Sequence, residues 1–122
     1  MMMRRKLVVV VDDDTSMLKG LERLLNASGF DTELFSSAEA FLAGEPSRDA
    51  TCLVVDIHLG GMSGIELRRR LAATGSVVPV IFMTAFDDES THQAAIDAGC
   101  VACLQKPFAS RLLIGAIETA AA

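Results

Sequence analysis

No run in this chain is long and apolar enough to cross a bilayer. Hydrophobic residues make up 51% of it, yet Asp, Lys, Glu or Gly interrupts every stretch well short of the ~20 residues a membrane helix needs. The chain reads as soluble, with no membrane partner. An excess of positive charge is also missing: the net charge is −5 and the pI about 4.9. That balance argues against direct contact with nucleic acid, so any control of DNA would fall to another domain. Cysteine is scarce, with only Cys52, Cys100 and Cys103. An odd number without an export signal favours reduced thiols. Residues 1–6 are basic, but they lead into a strand-like segment ending in acids and offer no small-residue cleavage site. They do not read as a secretory signal, and a cytoplasmic location is the expectation. Repeats and low-complexity segments are absent.

What is present is enough for one domain spanning residues 1–122. A chain of this size buries about two thirds of the surface its unfolded form exposes, so it can hold a core without staples. Residues 6–11 form an apolar, β-branched run that stops at Asp12-Asp13-Asp14, and Cys52-Leu53-Val54-Val55 stops in the same way at Asp56. Short unbroken runs of this kind read as strands buried on both faces of a parallel sheet. From Thr15 or Ser16 the period becomes helical, with Met17, Leu18, Leu21, Leu24 and Leu25 as its stripe and Gly29 closing it. Residues 31–35 read as an edge strand. Ser37 caps a short helix to Ala43, broken at Gly44-Glu45-Pro46.

Residues 64–73 read as a third helix, with Arg68, Arg69 and Arg70 on a solvated face. Residues 77–83 are the most hydrophobic strand and end at Thr84-Ala85. Asp87 or Asp88 opens a helix to Ala98 whose inward face is only Ala94, Ala95 and Ile96 or Ala98, too little buried area to hold it tightly. Residues 101–105 form a fifth strand, Lys106-Pro107 a turn, and residues 109–119 a last helix with Leu112, Leu113, Ile114 and Ile117, followed by a frayed alanine tail. Five strands alternating with five helices give a doubly wound α/β fold, flavodoxin-like, with strand order 2-1-3-4-5.

Ligands in such folds bind at the carboxyl edge of the sheet. That edge collects Asp12, Asp13 and Asp14 from the first strand, Asp56 from the third, Thr84 from the fourth and Lys106 from the fifth. Neighbouring carboxylates repel unless a proton or a cation joins them. Oxygen ligands without a His or Cys cluster favour a hard ion such as Mg²⁺, which accepts phosphate as co-ligand. A lysine and a hydroxyl facing that ion would complete a phosphoryl clamp. Asp14 reads instead as a helix cap. Cys100-Val101-Ala102-Cys103 has zinc or redox spacing, but on an extended strand the two sulfurs would point to opposite faces, so buried thiols are expected.

The segments Val10-Val11-Asp12-Asp13, Val54-Val55-Asp56, Met83-Thr84-Ala85 and Gln105-Lys106-Pro107-Phe108 resemble the receiver domain of two-component response regulators, across essentially the whole chain. The Lys106-Pro107-Phe108 and Ala38-Glu39-Ala40-Phe41 segments look most like receivers of nitrogen-fixation-type transcription regulators, which carry a C-terminal effector domain absent here. The resemblance implies Asp56 as phosphoacceptor from a sensor histidine kinase. It implies Mg²⁺ or Mn²⁺ held by Asp12, Asp13, Asp56 and the backbone carbonyl of His58. Lys106 would be the clamp, Thr84 with Ala85 the switch, and Pro107 would follow a cis bond. A phosphorylation-dependent homodimer through the last two helices and fifth strand is a further implication.

Three departures from the family pattern stand out. Leu59-Gly60 occupies the place of a common Met-Pro, freeing the loop by about 0.4–1 kcal/mol of unfolded-state entropy. Cys103 takes the place of the aromatic that usually relays the switch. His58 and Phe86 would flank the phosphoryl group and tune its hydrolysis. Besides a phosphoacceptor that catalyses only its own phosphorylation and dephosphorylation, two readings stand. One is a receiver-like binding module that is not phosphorylated. The other is a Mg²⁺-dependent aspartyl phosphatase, disfavoured because His58, not an acid, lies two residues beyond Asp56.

Overall fold

Every residue of the first strand, β1 (Leu7–Val11), is buried, because alternate side chains enter two separate cores. The computed structural model describes residues 5–44 and 49–122. Residues 1–4 of the basic start and Glu45-Pro46 of the break lie outside the described residues. Val8 and Val10 pack with Leu18, Leu21 and Leu25 of α1 (Thr15–Ala27) and Leu113 and Ile117 of α5 (Ser110–Ala121). Val9 and Val11 face Phe41 of α2 (Ala38–Ala43), Leu67 of α3 (Gly64–Ala73) and Ala95 of α4 (Glu89–Asp97). Each fully buried Leu or Ile contributes about 1.5–3 kcal/mol, so the two-sided sheet is the main source of stability.

The remaining strands are β2 (Asp31–Phe35), β3 (Cys52–Asp56), β4 (Val80–Thr84) and β5 (Ala102–Gln105). All pair in parallel in the order β2-β1-β3-β4-β5, the doubly wound arrangement the sequence implies. Register positions the strand ends. Val11 pairs with Val55, so Asp12, the next residue, emerges level with Asp56; Thr84 pairs with Gln105, so Lys106 emerges just beyond it.

Several local readings need correction. β4 starts at Val80, not Val77, which is 92% exposed; Pro79 has no N–H to give to a ladder, so regular pairing begins after it. Of the two inner faces open to α4, the one with Ala98 holds: Ala95 is buried, Ala94 and Ala98 pack against the core, and Ile96 is exposed. Ile96 lies about 100° around the helix from Ala95, off the narrow contact face. Leu112 likewise points outward, beside the buried Leu113. α5 continues through Ala121, so most of the alanine tail is helical. Arg68 is half-buried, and its Nε has no hydrogen-bond partner; its guanidinium extends toward Gly99, away from the solvated face expected for it. Cys100 precedes β5, where strand alternation does not apply. It packs against the same core as Cys103, not the opposite face. Both thiols are free, and burial pushes both up.

Gly64 opens α3 directly beneath the end of β3. A Cβ there would collide with the backbone carbonyl oxygen of Asp56 and lie 2.9 Å from Val55 Cγ1. Gly64→Ala is therefore expected to lose about 1–3 kcal/mol through forced backbone shifts. Urea unfolding measures it, and an unchanged midpoint would show that the approach relaxes freely.

Candidate functional site

Asp12 is fully buried and Asp56 nearly so, each delivered by a strand with no polar residue before it. Lys106 Nζ bridges them, donating to Asp12 Oδ2 and to Asp56 Oδ2 at 2.8 Å each. The remaining oxygens are also used: Asp12 Oδ1 accepts from Asp14 N–H and Asp56 Oδ1 from His58 N–H, both at 2.9 Å. Burial raises the Asp12 carboxyl despite the lowering influence of Lys106 and the Asp14 amide. For Lys106 burial acts downward, but the hydrogen bonds and charges of Asp12 and Asp56 outweigh it and raise its pKa.

Asp13 is exposed at the rim, where Gly60 N–H donates to its Oδ2 at 3.3 Å. One oxygen from each of Asp12, Asp13 and Asp56 lies within 4.8 Å of the others. These three acids can hold a metal ion. A donor set made only of carboxylate oxygens suits a hard divalent cation. Asp14 is turned away as the cap of α1, accepting from Ser16 N–H and Met17 N–H.

Thr84 is buried at the end of β4, and Phe86 N–H donates to its Oγ1 at 3.0 Å. Ala85 between them is exposed and carries only a methyl group. The His58 and Phe86 rings meet edge to face, centroids 4.4 Å apart. The Lys106–Pro107 peptide bond is cis. Cys103 is half-buried on the core face of β5. Cys52 lies in the sheet interior, its thiol pushed up to about 12 by burial, which leaves it unreactive. His92 is exposed. One residue at this edge escaped the sequence reading. Glu39 of α2 accepts from Met62 N–H at 2.9 Å, across 23 residues. Its only advance signal was the flexibility of Gly60-Gly61, which needs a tether from somewhere.

Comparison with known proteins agrees with this geometry. The family model described as "Response regulator receiver domain" matches residues 8–118. The transcriptional regulatory protein FixJ of Bradyrhizobium diazoefficiens is 38% identical over 107 residues, 88% of this chain and 52% of that protein. The response regulator protein TmoT of Ectopseudomonas mendocina is 36% identical over 107 residues, 88% of this chain and 49% of its own length. The chain thus spans about half the length of these curated relatives. Among solved structures, FixJ-N superposes with a TM-score of 0.88 at 38% identity, covering 98% of this chain and 95% of that one. A receiver protein from Burkholderia phymatum gives 0.83 at 39% identity, covering 96% and 95%. No helix among the described residues is long and apolar enough to cross a membrane. With the acids, the lysine and the hydroxyl gathered on one sheet edge of a doubly wound fold, and a family match over most of its length, the chain belongs to the receiver domains of two-component response regulators.

Proposed function

We propose that this receiver accepts a phosphoryl group on Asp56 from a sensor histidine kinase and controls transcription through an effector domain outside these residues. The observation that carries the reading is the bridge from Lys106 to Asp12 and Asp56 at 2.8 Å, with Asp13 close enough to share a cation. A carboxylate oxygen of Asp56 attacks phosphorus, the P–N bond to the kinase imidazole breaks, and the imidazole leaves with the bonding pair and takes up a proton. Asp12, Asp13, Asp56 and the His58 backbone carbonyl would hold Mg²⁺ or Mn²⁺, which would supply positive charge beside the transferring oxygens. Lys106 Nζ is placed to exchange one of its carboxylate partners for a phosphoryl oxygen, and its charge offsets what develops there. Beyond this self-directed chemistry the domain is not an enzyme.

Thr84 is the switch. Its Oγ1 is tied to Phe86 N–H, so turning the hydroxyl toward a phosphoryl oxygen either breaks that bond or draws the loop of Ala85 and Phe86 with it. Exposed Ile96, Val101 and Leu112 lie on or beside α4, β5 and α5. These elements supply the surface for a phosphorylation-dependent homodimer. With Cys103 in place of a bulky aromatic, the relay from Thr84 to that surface is weaker than in relatives. The location is cytoplasmic, where the kinase domain resides.

Incubation with Mg²⁺ and acetyl phosphate tests the reading: a one-phosphate gain by mass spectrometry, absent in EDTA, is expected. No gain would leave a binding module, and continuous phosphate release an aspartyl phosphatase. The paired rings of His58 and Phe86 shield the anhydride from water. Phe86→Glu should shorten the phosphoryl half-life several-fold, followed by decay of the heavier species; an unchanged decay rate sinks the shielding role.

A further inference from the structure

The loop joining β3 to α3 has little of its own to fix it. Two glycines stand in sequence, and Gly61 adopts φ +94°, a conformation that other residues rarely take. Yet three alternate backbone N–H groups along this loop each donate to a different carboxylate. His58 N–H donates to Asp56 Oδ1 at 2.9 Å, Gly60 N–H to Asp13 Oδ2 at 3.3 Å, and Met62 N–H to Glu39 Oε2 at 2.9 Å. The first two acceptors belong to the acidic cluster. The third comes from the first turn of α2, outside the cluster.

The seat for Glu39 is close-fitting. A Cβ on Gly61 would lie 2.7 Å from Glu39 Oε2, so a side chain there would displace the carboxylate from Met62 N–H, and the backbone angle itself favours glycine. The Met62 amide also holds the Glu39 carboxyl below its usual range, as a charge-assisted bond does. Asp13 and Asp56 cannot give full strength to loop amides while their oxygens serve a metal ion and a phosphoryl group. Glu39 has no such competing duty. We propose that Glu39 is a positioning residue that anchors the β3–α3 loop, and with it the His58 backbone carbonyl, and so sets the divalent-ion affinity of the site without touching the ion. This rests on the reading of Asp12, Asp13 and Asp56 as metal ligands. A loop left free must be ordered each time an ion binds, and that ordering weakens binding.

Two variants of the 122-residue chain separate anchoring from charge. Glu39→Gln keeps an oxygen to accept from Met62 N–H but loses the charge, whereas Glu39→Ala loses both. Calorimetric titration with Mn²⁺ should show Glu39→Ala weakened about tenfold, the low end for loss of an outer partner of a metal site, with Glu39→Gln near wild type. In the metal-free protein, Met62 amide exchange should accelerate in Glu39→Ala and not in Glu39→Gln. Equal affinities in all three proteins overturn the proposal alone, and equal weakening of both variants replaces it with a long-range charge effect. A wild-type chain that binds no Mn²⁺ overturns both this proposal and the metal-site reading beneath it. A solely structural role would lower the unfolding midpoint of Glu39→Ala and leave its affinity unmoved.

Discussion

Replacing Asp56 by Asn is expected to abolish the one-phosphate gain completely while making the unphosphorylated domain more stable. The first effect follows because an amide oxygen is no nucleophile toward phosphorus, and Asp12, fully buried and occupied by Lys106 and the Asp14 amide, cannot substitute. The second follows from charge. Asp56 faces two like charges, Asp12 and Asp13, and one opposite charge, Lys106. At 4 Å and an effective dielectric constant of about 20 each such pair is worth up to about 4 kcal/mol, and Asn removes two repulsions together with one attraction. Asn keeps one acceptor oxygen, for either the His58 amide or Lys106 Nζ, and gives up the other bond. If the net relief is about 1 kcal/mol, the melting temperature in EDTA rises by about 4 °C, and the rise produced by Mg²⁺ in the wild type shrinks. Thermal unfolding with and without Mg²⁺ measures both. A phosphate gain surviving in Asp56→Asn would move the acceptor elsewhere, and a lower melting temperature would show that the Lys106 bond outweighs the repulsion.

Lys106→Met acts in the opposite direction. It removes the one cation bridging Asp12, whose side chain is 0% exposed, and Asp56, whose side chain is 10% exposed. Deleting one partner of a buried pair strands the other charge. The expected loss in EDTA is about 3 kcal/mol, the lower end of the usual range because Asp56 retains some contact with water. The pH dependence carries a sign. Burial raises the folded pKa of Asp12, so its penalty applies above that raised value and disappears as pH falls below the unfolded one. The gap between Lys106→Met and wild type should therefore narrow on acidification. It should also narrow with Mg²⁺, which replaces the missing charge and binds only the folded state. Denaturant midpoints across pH and Mg²⁺ concentration decide the matter. A variant as stable as wild type in EDTA at neutral pH would mean the two carboxylates need no counter-charge.

The limits of local sequence patterns are visible in particular residues. α3 is readable to its ends because Ser63 caps it, accepting from Glu66 N–H, and its apolar spacing is regular. α4 is readable in extent, and its inner face of Ala94, Ala95 and Ala98 is one of the two that the sequence leaves open. With alanines on several sides, no large apolar residue marks its inner face, and Ile96 proves to be outside. The two cysteines of Cys100-Val101-Ala102-Cys103 share a core face because the strand starts only at Ala102, a shift of one residue that inverts any argument from alternation.

The sequence by itself determined the alternation of strands and helices, the acids that end the buried runs, and the order in which they reach one sheet edge. Burial of apolar runs and turn chemistry are local, and local patterns encode them. Tertiary structure alone decided which groups meet. Lys106 reaches Asp12 across 94 residues because parallel register sets β5 two strands from β3 and three from β1 at matching height. Glu39 reaches Met62 because α2 and the β3–α3 loop converge at the same rim. Contacts between distant segments depend on register and loop path together, and no period within one segment records either.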